Sequence, residues 1–398
     1  MFNAILCTTI NVPFFLKPLC SNIKKFGHNE DTKILIIGDL KTPSETKAYC
    51  KIISKKFKIE IIYFGIVEQN KFFNKQKYRQ FYKLFPKNDA IRRLLGNVYL
   101  SQYKIKRFIY IDDDNFISNN DNDFILSHSI VGKEIDVKCV YSKNKWPNLY
   151  KYIELDEKMP VFPRGYPWEF RNKNSFNLKF SKKIKSKVIA NCGFILGDPD
   201  IDASSRIFWK IDVKKIKYNK NLYLKPGNYF PFNDQNTSIA GEYLYYYFKP
   251  LSAGRNSDIW TSYIFCKVAE IRNHLISYGN PQLFQDRNIH DNWKDYEFEK
   301  FHNYSTNTFI RIIRRVINKN FHDNHQLFLY ILSEMLNLVK SELKLNSTIN
   351  VYDSIHYQGF SNSERESRNK LNLKYIQSYL EGYIQWLNII KKLDLNPQ

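Results

Sequence analysis

Three consecutive aspartates, Asp112-Asp113-Asp114, follow directly on the apolar run Phe108-Ile109-Tyr110-Ile111. Adjacent carboxylates repel one another, so the arrangement is costly unless a cation, hydrogen-bond donors or water compensates. On an extended backbone side chains alternate, which predicts Asp112 and Asp114 on one side and Asp113 on the other. That Asp-x-Asp spacing suits a hard divalent ion, Mg²⁺ or Mn²⁺, which prefers oxygen ligands and bridges to a diphosphate. An acidic surface turn is the other reading, and the strand-like run before the triplet favours the ion.

Three further segments carry chemically useful groups. Phe162-Pro163-Arg164-Gly165-Tyr166-Pro167-Trp168-Glu169-Phe170-Arg171 sets two arginines around a glycine, two prolines and aromatic rings. The planar guanidinium fork matches phosphate oxygens and a ring offers a face to a sugar, though an ordinary packed loop has the same composition. In Gly254-Arg255-Asn256-Ser257-Asp258-Ile259-Trp260 a loop feeds a helix. Asp258 is either its cap or a carboxylate placed to deprotonate a hydroxyl. Gln285-Asp286-Arg287-Asn288-Ile289-His290-Asp291 brings an imidazole beside acidic and basic groups; on chemistry alone a single histidine is more often structural.

The elements that must position these groups are legible in the first 115 residues. Strands are expected at 4–10, 33–37, 59–64 and 107–111, each almost continuously apolar, as a strand covered on both faces must be. Helical stretches at 43–55 and 89–103 alternate with them. The pattern predicts an α/β fold with a mostly parallel sheet flanked by helices. Ligands of such sheets bind beyond the carboxyl ends of the strands, where helix N-termini point free N–H groups outward. Thr8-Thr9-Ile10-Asn11, Gly38-Asp39-Leu40-Lys41 and Asp112-Asp113-Asp114 then share one edge. Residues 116–300 read as loops and short strands. From about residue 307 the spacing turns helical, with Ile376, Leu380, Tyr383, Ile384 and Leu387 on one apolar face. A catalytic domain over 1–305 and a helical region over 306–398 are expected.

Composition narrows the class. A hydrophobic content of 43% and an aromatic content of 16% argue for a packed chain. Sixty-one Lys and Arg against thirty-nine Asp and Glu give +22, which implies an anionic partner. The basic residues are dispersed, and no zinc-finger spacing or aromatic RNA-binding signature occurs, so no nucleic-acid partner is expected. Arg311, Arg314 and Arg315 form a basic face, either solvated or in peripheral contact with a membrane. The six cysteines are scattered without a CxxC pair, as expected of buried free thiols in a reducing compartment. No apolar run reaches about 18 residues and no signal peptide is legible. A cytoplasmic location is expected, with peripheral contact at the inner membrane face.

Taken in order, these segments resemble the STELLO-type glycosyltransferases of plants and, more distantly, the reversibly glycosylated polypeptides that act as UDP-arabinopyranose mutases. The likeness rests on Thr8-Thr9-Ile10-Asn11, Gly38-Asp39-Leu40-Lys41-Thr42-Pro43, Asp112-Asp113-Asp114-Asn115, Arg164-Gly165-Tyr166-Pro167, Gly254-Arg255-Asn256-Ser257-Asp258-Ile259-Trp260 and Arg287-Asn288-Ile289-His290-Asp291. It covers roughly residues 1–300. The resemblance implies a GT-A-like, Rossmann-like fold, a UDP-linked nucleotide-sugar donor, and Mn²⁺ or Mg²⁺ as cofactor. It also implies a role for His290 in completing the metal site. In the mutase branch the arginine of the Arg-Gly-Tyr-Pro motif is linked to reversible self-glycosylation, and that arginine and its partner seven residues on have counterparts in Arg164 and Arg171. The plant proteins carry a membrane-spanning N-terminal segment that has no counterpart here, so their location does not transfer.

The combined expectation is a metal-dependent glycosyltransferase acting on a glycan or other hydroxyl acceptor, in surface polysaccharide synthesis. Its donor site would comprise Thr8, Asn11, Asp39, Lys41, Asp112, Asp113 and Arg255, and its metal site Asp112, Asp114 and His290. Arg164 and Arg171 would offset phosphate charge, and Asp258 would be the general base. The alternatives are a pyranose/furanose mutase of nucleotide sugars and a non-catalytic nucleotide-sugar or polyanion-binding protein. Oligomeric state is not legible.

Overall fold

The computed structural model describes residues 1–75, 77–119, 121–156, 159–218, 220–250, 254, 257–288, 291–345, 359 and 361–395. The strands among them are β1 (Phe2–Thr9), β2 (Thr32–Gly38), β3 (Glu60–Phe64), β4 (Ile105–Ile111), β5 (Asn115–Ile117), β6 (Glu134–Tyr141), β7 (Ile153–Leu155), β8 (Lys179–Gly197), β9 (Val213–Ile216), β10 (Leu222–Leu224), β11 (Asn236–Ala240) and β12 (Leu275–Gln285). The helices are α1 (Leu16–Lys25), α2 (Thr46–Phe57), α3 (Ile66–Phe73), α4 (Arg79–Tyr82), α5 (Arg93–Leu100), α6 (Phe124–His128), α7 (Ala203–Phe208), α8 (Ser257–Arg272), α9 (Asn292–Arg315), α10 (Asn324–Leu345) and α11 (Asn362–Lys392).

The chain is α/β, as its opening strands predict. β3-β2-β1-β4 pair in parallel, and β11 then joins β4 antiparallel and passes the sheet on to β8. Alternate residues of the parallel strands face two separate cores. Ile5, Cys7, Ile34, Ile36, Ile109 and Ile111 pack against α1, α2 and α6. Ala4, Leu6, Leu35, Ile37, Phe108 and Tyr110 pack on the opposite side with α5 and the later helices. Burial on both faces is why these runs read as continuously apolar.

The middle of the chain differs from its expected loop-rich character. β8 runs for 19 residues, pairing its first half antiparallel with β6 and its second half parallel with β12. Its first half, Lys-Phe-Ser-Lys-Lys-Ile-Lys-Ser-Lys, is largely solvent-facing, so its lysines mask the strand. The mostly parallel order thus belongs to the first half of the sheet, and the second half is mixed.

The C-terminal helices pack on the sheet as one body with it. Ile376, Leu380, Tyr383 and Leu387 are fully buried, as their spacing predicts, and Ile384 of the same expected face is partly buried. Tyr379 Oη lies 2.8 Å from Thr261 Oγ1 of α8, and Trp386 Nε1 donates to the Tyr245 carbonyl at 2.7 Å. α9 runs through position 305, where the boundary was expected, and α8 to α11 share one apolar core with the sheet. No described helix is long and apolar enough to cross a membrane. All six cysteines are free, and five of them are buried.

Candidate active site

The carboxyl ends of β1, β2 and β4 open into a cleft of about 690 Å³. β4 ends at Ile111, and the next residues turn instead of extending: the Asn115 N–H donates to the Asp112 carbonyl at 3.2 Å. The turn feeds β5, which pairs with the end of β12 and so brings Gln285, Arg287 and Asn288 to the cleft wall. β11 lies beside β4 with Asn236 opposite Ile111, which sets Asp234 and Gln235 next to the triplet.

Because the backbone turns, the three aspartates do not alternate as an extended chain predicts. They fan toward three elements while all lining the cleft. Asp112 Oδ1 accepts from Arg93 Nη2 at 2.6 Å. Asp113 Oδ2 accepts from Thr9 Oγ1 at 2.6 Å and from Asn11 Nδ2 at 3.2 Å. Asp114 Oδ2 accepts from Gln285 Nε2 at 3.2 Å and from the Asn288 N–H at 3.3 Å, whereas its Oδ1 is buried without a hydrogen-bond partner. A buried carboxylate oxygen left unpaired is costly, and a cation is the partner that suits it.

Charge in the cleft is organised around two arginines. Arg93, at the start of α5, also meets Asp234 at 2.9 Å, and Lys249 closes on the same carboxylate at 2.5 Å. Burial works against ionising Asp234, but Arg93 and Lys249 outweigh it and hold the carboxyl below the usual range. Burial pushes Asp112 up to about 7 against the pull of Arg93, with Asp234 and Asp114 adding to the rise. Arg164 forms a two-point pair with Asp200 at 2.7 and 3.0 Å and reaches Asp258 at 3.0 Å. Burial opposes the charge of Asp200, yet Arg164 brings it down to about 2. Asp258 goes the other way: burial raises it, Arg164 opposes the rise, and Asp234 reinforces it.

Asp258 is the second residue of α8 and faces the cleft, so it is both a helix-start acid and a site carboxylate. Gly165 makes the turn beside it, with φ +71 and its N–H donating to Asp202 at 3.0 Å. A side chain there is strained by φ and would meet Ile259 of α8.

The expected site residues divide as follows. Thr8, Asp39, Asp112, Asp113, Asp114, Arg164 and Asp258 line one cleft. Asn11 stands at its edge through Asp113 and Asn288. Asp39 accepts from the Asn88 N–H at 2.5 Å and lies 3.4 Å from Arg92. Lys41 is exposed and is not among the residues lining the cleft. Arg171 stands apart from it: its guanidinium donates to the Tyr166 carbonyl at 3.0 and 2.7 Å and pairs with the buried Asp202. A charge so matched braces the loop and is not directed at a ligand in the cleft. Arg255 and His290 lie outside the described residues.

Sequence reasoning missed Arg93, Asp200, Asp234 and Lys249. Asp234 meets Arg93 across 141 positions, so no local spacing betrays it; Arg93 alone had a signal, as an arginine opening a helix after the cap Asp89. Among the described residues no group of three or more His, Cys, Asp or Glu side chains is arranged to hold a metal by itself. Asp114 and Asp112 fit a cation that takes its remaining oxygens from phosphate and water, as Mg²⁺ ordinarily does.

By sequence the chain matches no family model and no curated protein. By structure it is similar to glucosyl-3-phosphoglycerate synthase from Mycobacterium tuberculosis in complex with phosphoglyceric acid, with TM-score 0.38, 9% identity, and 77% of this chain and 78% of that one covered. It is similar to the mannosyltransferase PcManGT from Pyrobaculum calidifontis in complex with GDP-Man and Mn²⁺, with TM-score 0.38, 8% identity, and coverage of 95% and 85%. It is also similar to S. aureus TarS 1-349 in complex with UDP-GlcNAc, with TM-score 0.38, 12% identity, and coverage of 99% and 89%.

Proposed function

We propose that the chain is a glycosyltransferase of the GT-A type, related to the STELLO-type enzymes, that uses a nucleotide-sugar donor and a divalent cation. The observation that carries this is Asp114: one oxygen is buried and unpaired at the end of β4, in a cleft also lined by Arg287 and Lys249. Asp114 and Asp112 would hold Mn²⁺ or Mg²⁺, which when bound offsets charge on the departing diphosphate. Asp39 and Thr8 sit where a nucleotide meets the ends of β1 and β2. Arg287 lines the same space, and beyond the contact of its Nη1 with Asp198 at 3.2 Å its guanidinium suits a phosphate oxygen.

Asp258 is the candidate general base. Burial favours its protonated form, so it takes a proton from an acceptor hydroxyl more readily than an exposed aspartate. Arg164 orients it and is a positioning residue, not a phosphate ligand, because its guanidinium already serves two carboxylates. The acceptor in this reading is a hydroxyl of a glycan under assembly at the cytoplasmic side of a cell surface.

The test is incubation of the purified protein with a panel of nucleotide sugars and Mn²⁺, read by mass spectrometry. Release of nucleoside diphosphate that depends on acceptor and is lost in Asp258→Asn supports the reading. Acceptor-free interconversion of ring forms would instead identify a mutase, and binding without any product a non-catalytic protein.

A further inference from the structure

One stretch of the chain is far more basic than the rest. Residues 47–87 hold eleven Lys and Arg against two Glu, a net of +9 of the chain's +22 in about a tenth of its length. All eleven are exposed. Glu68 is paired with Lys47 at 2.6 Å, which ties α2 to α3, and Glu60 is paired with Lys33. The stretch from Lys71 to Lys87 contains no acidic residue. By contrast, the basic face at the C-terminus is matched internally: Arg311 meets Glu342 at 2.6 Å and Arg315 the same carboxylate at 2.5 Å.

What is interspersed with the charges decides the partner. Two aliphatic side chains stand out beside the basic residues that follow β3, Val67 at 75% and Leu84 at 47% exposure. The aromatic rings of the same stretch, including Phe72, Tyr78 and Tyr82, are packed against the core. A single-stranded nucleic acid needs aromatic faces on which bases stack, and none is exposed here among the described residues. Lysines with protruding aliphatic chains are what an anionic lipid surface recognises, through charge and shallow insertion.

We propose that the surface carrying Lys71, Lys75, Lys77, Arg79, Lys83 and Lys87, on the side of the sheet opposite α2, docks the protein on a bilayer containing anionic phospholipid. The segment continues directly into residues 88–93, which line the cleft, so docking holds the cleft rim at the bilayer. The proposal does not rest on the donor or on the reaction.

Co-sedimentation of the full chain with vesicles tests it, using phosphatidylcholine alone and phosphatidylcholine with about a third phosphatidylglycerol. The protein is expected to pellet only with the anionic vesicles and to be released by high salt. The combined change Lys71→Glu, Lys75→Glu and Lys83→Glu should weaken binding by more than about tenfold. The same charge change at Lys179, Lys182 and Lys183 on β8 should leave it intact. A second variant, Val67→Ser with Leu84→Ser, keeps every charge and should weaken binding that survives moderate salt. Failure of the wild type to pellet, equal loss in the β8 variant, or tighter binding to a single-stranded RNA oligomer than to vesicles would overturn the proposal. UDP binding by the lysine variants should be unchanged, which separates this surface from the cleft.

Discussion

Arg93 Nη2 lies 2.6 Å from Asp112 Oδ1, and through its other nitrogen the same guanidinium meets Asp234. Two acids far apart in sequence, one just after β4 and the other just before β11, are thus held on one cation, with the Asp112 carboxyl still 31% exposed. Removing one member of a buried ion cluster leaves the rest uncompensated. Arg93→Met should therefore cost about 3–5 kcal/mol in denaturant unfolding, and Arg93→Lys less. A loss below about 1 kcal/mol would show that the cluster is not a structural support of the site.

The elevated Asp112 carboxyl gives a pH dependence of definite sign. Below about 7 it holds a proton and is a poor ligand, so affinity for Mn²⁺ with UDP should climb between pH 6 and 8. Stability moves oppositely: between its ordinary 3.8 and about 7 the folded state keeps a proton the unfolded chain has lost, so this group's contribution falls as pH rises. Calorimetric titration at several pH values checks the first, and Asp112→Asn should flatten the profile.

His128 predicts weakness in acid. The ring is buried between Asn236 Oδ1 at 3.2 Å and Asn191 Nδ2 at 3.1 Å, and burial with Arg107 nearby brings it down to about 3. As pH falls below 6.5 the unfolded chain takes up a proton that the folded ring refuses. Stability should drop by up to about 1.4 kcal/mol per pH unit from this group. Asp112 works in the opposite sense over the same range, so the comparison of wild type with His128→Gln by urea unfolding at about pH 7 and about pH 5 isolates the ring: the wild type should lose more stability on acidification than the variant.

The turn at Gly165 couples backbone to chemistry. Alanine there combines a positive φ with a clash against Ile259, the neighbour of Asp258. Gly165→Ala should lower stability by about 1–3 kcal/mol and reduce turnover further by displacing Arg164 from Asp258. Normal turnover with lowered melting temperature would detach the turn from the reaction.

Much of the fold was legible because both faces of β1, β2 and β4 are covered, leaving unbroken apolar runs that end at the site. The Asp112 to Asp114 turn was legible for the same reason, since its position follows from the strand before it. Its geometry was not: alternation assumed an extended backbone, and the chain turns at Asp113. Long-range partners left no local trace, as with Asp234 and Lys249, and the lysines of β8 concealed a central strand. Arg171 carried a plausible chemistry by type, but its partner Asp202 became visible only in three dimensions.

The most direct measurement is calorimetric titration of UDP and GDP into wild-type protein and Asp114→Ala, with Mn²⁺ and with chelator. The account predicts that one nucleotide binds the wild type only when the metal is present, and that Asp114→Ala loses this metal-dependent binding while remaining folded. Nucleotide binding that is equally tight with chelator, or unchanged in Asp114→Ala, would contradict it.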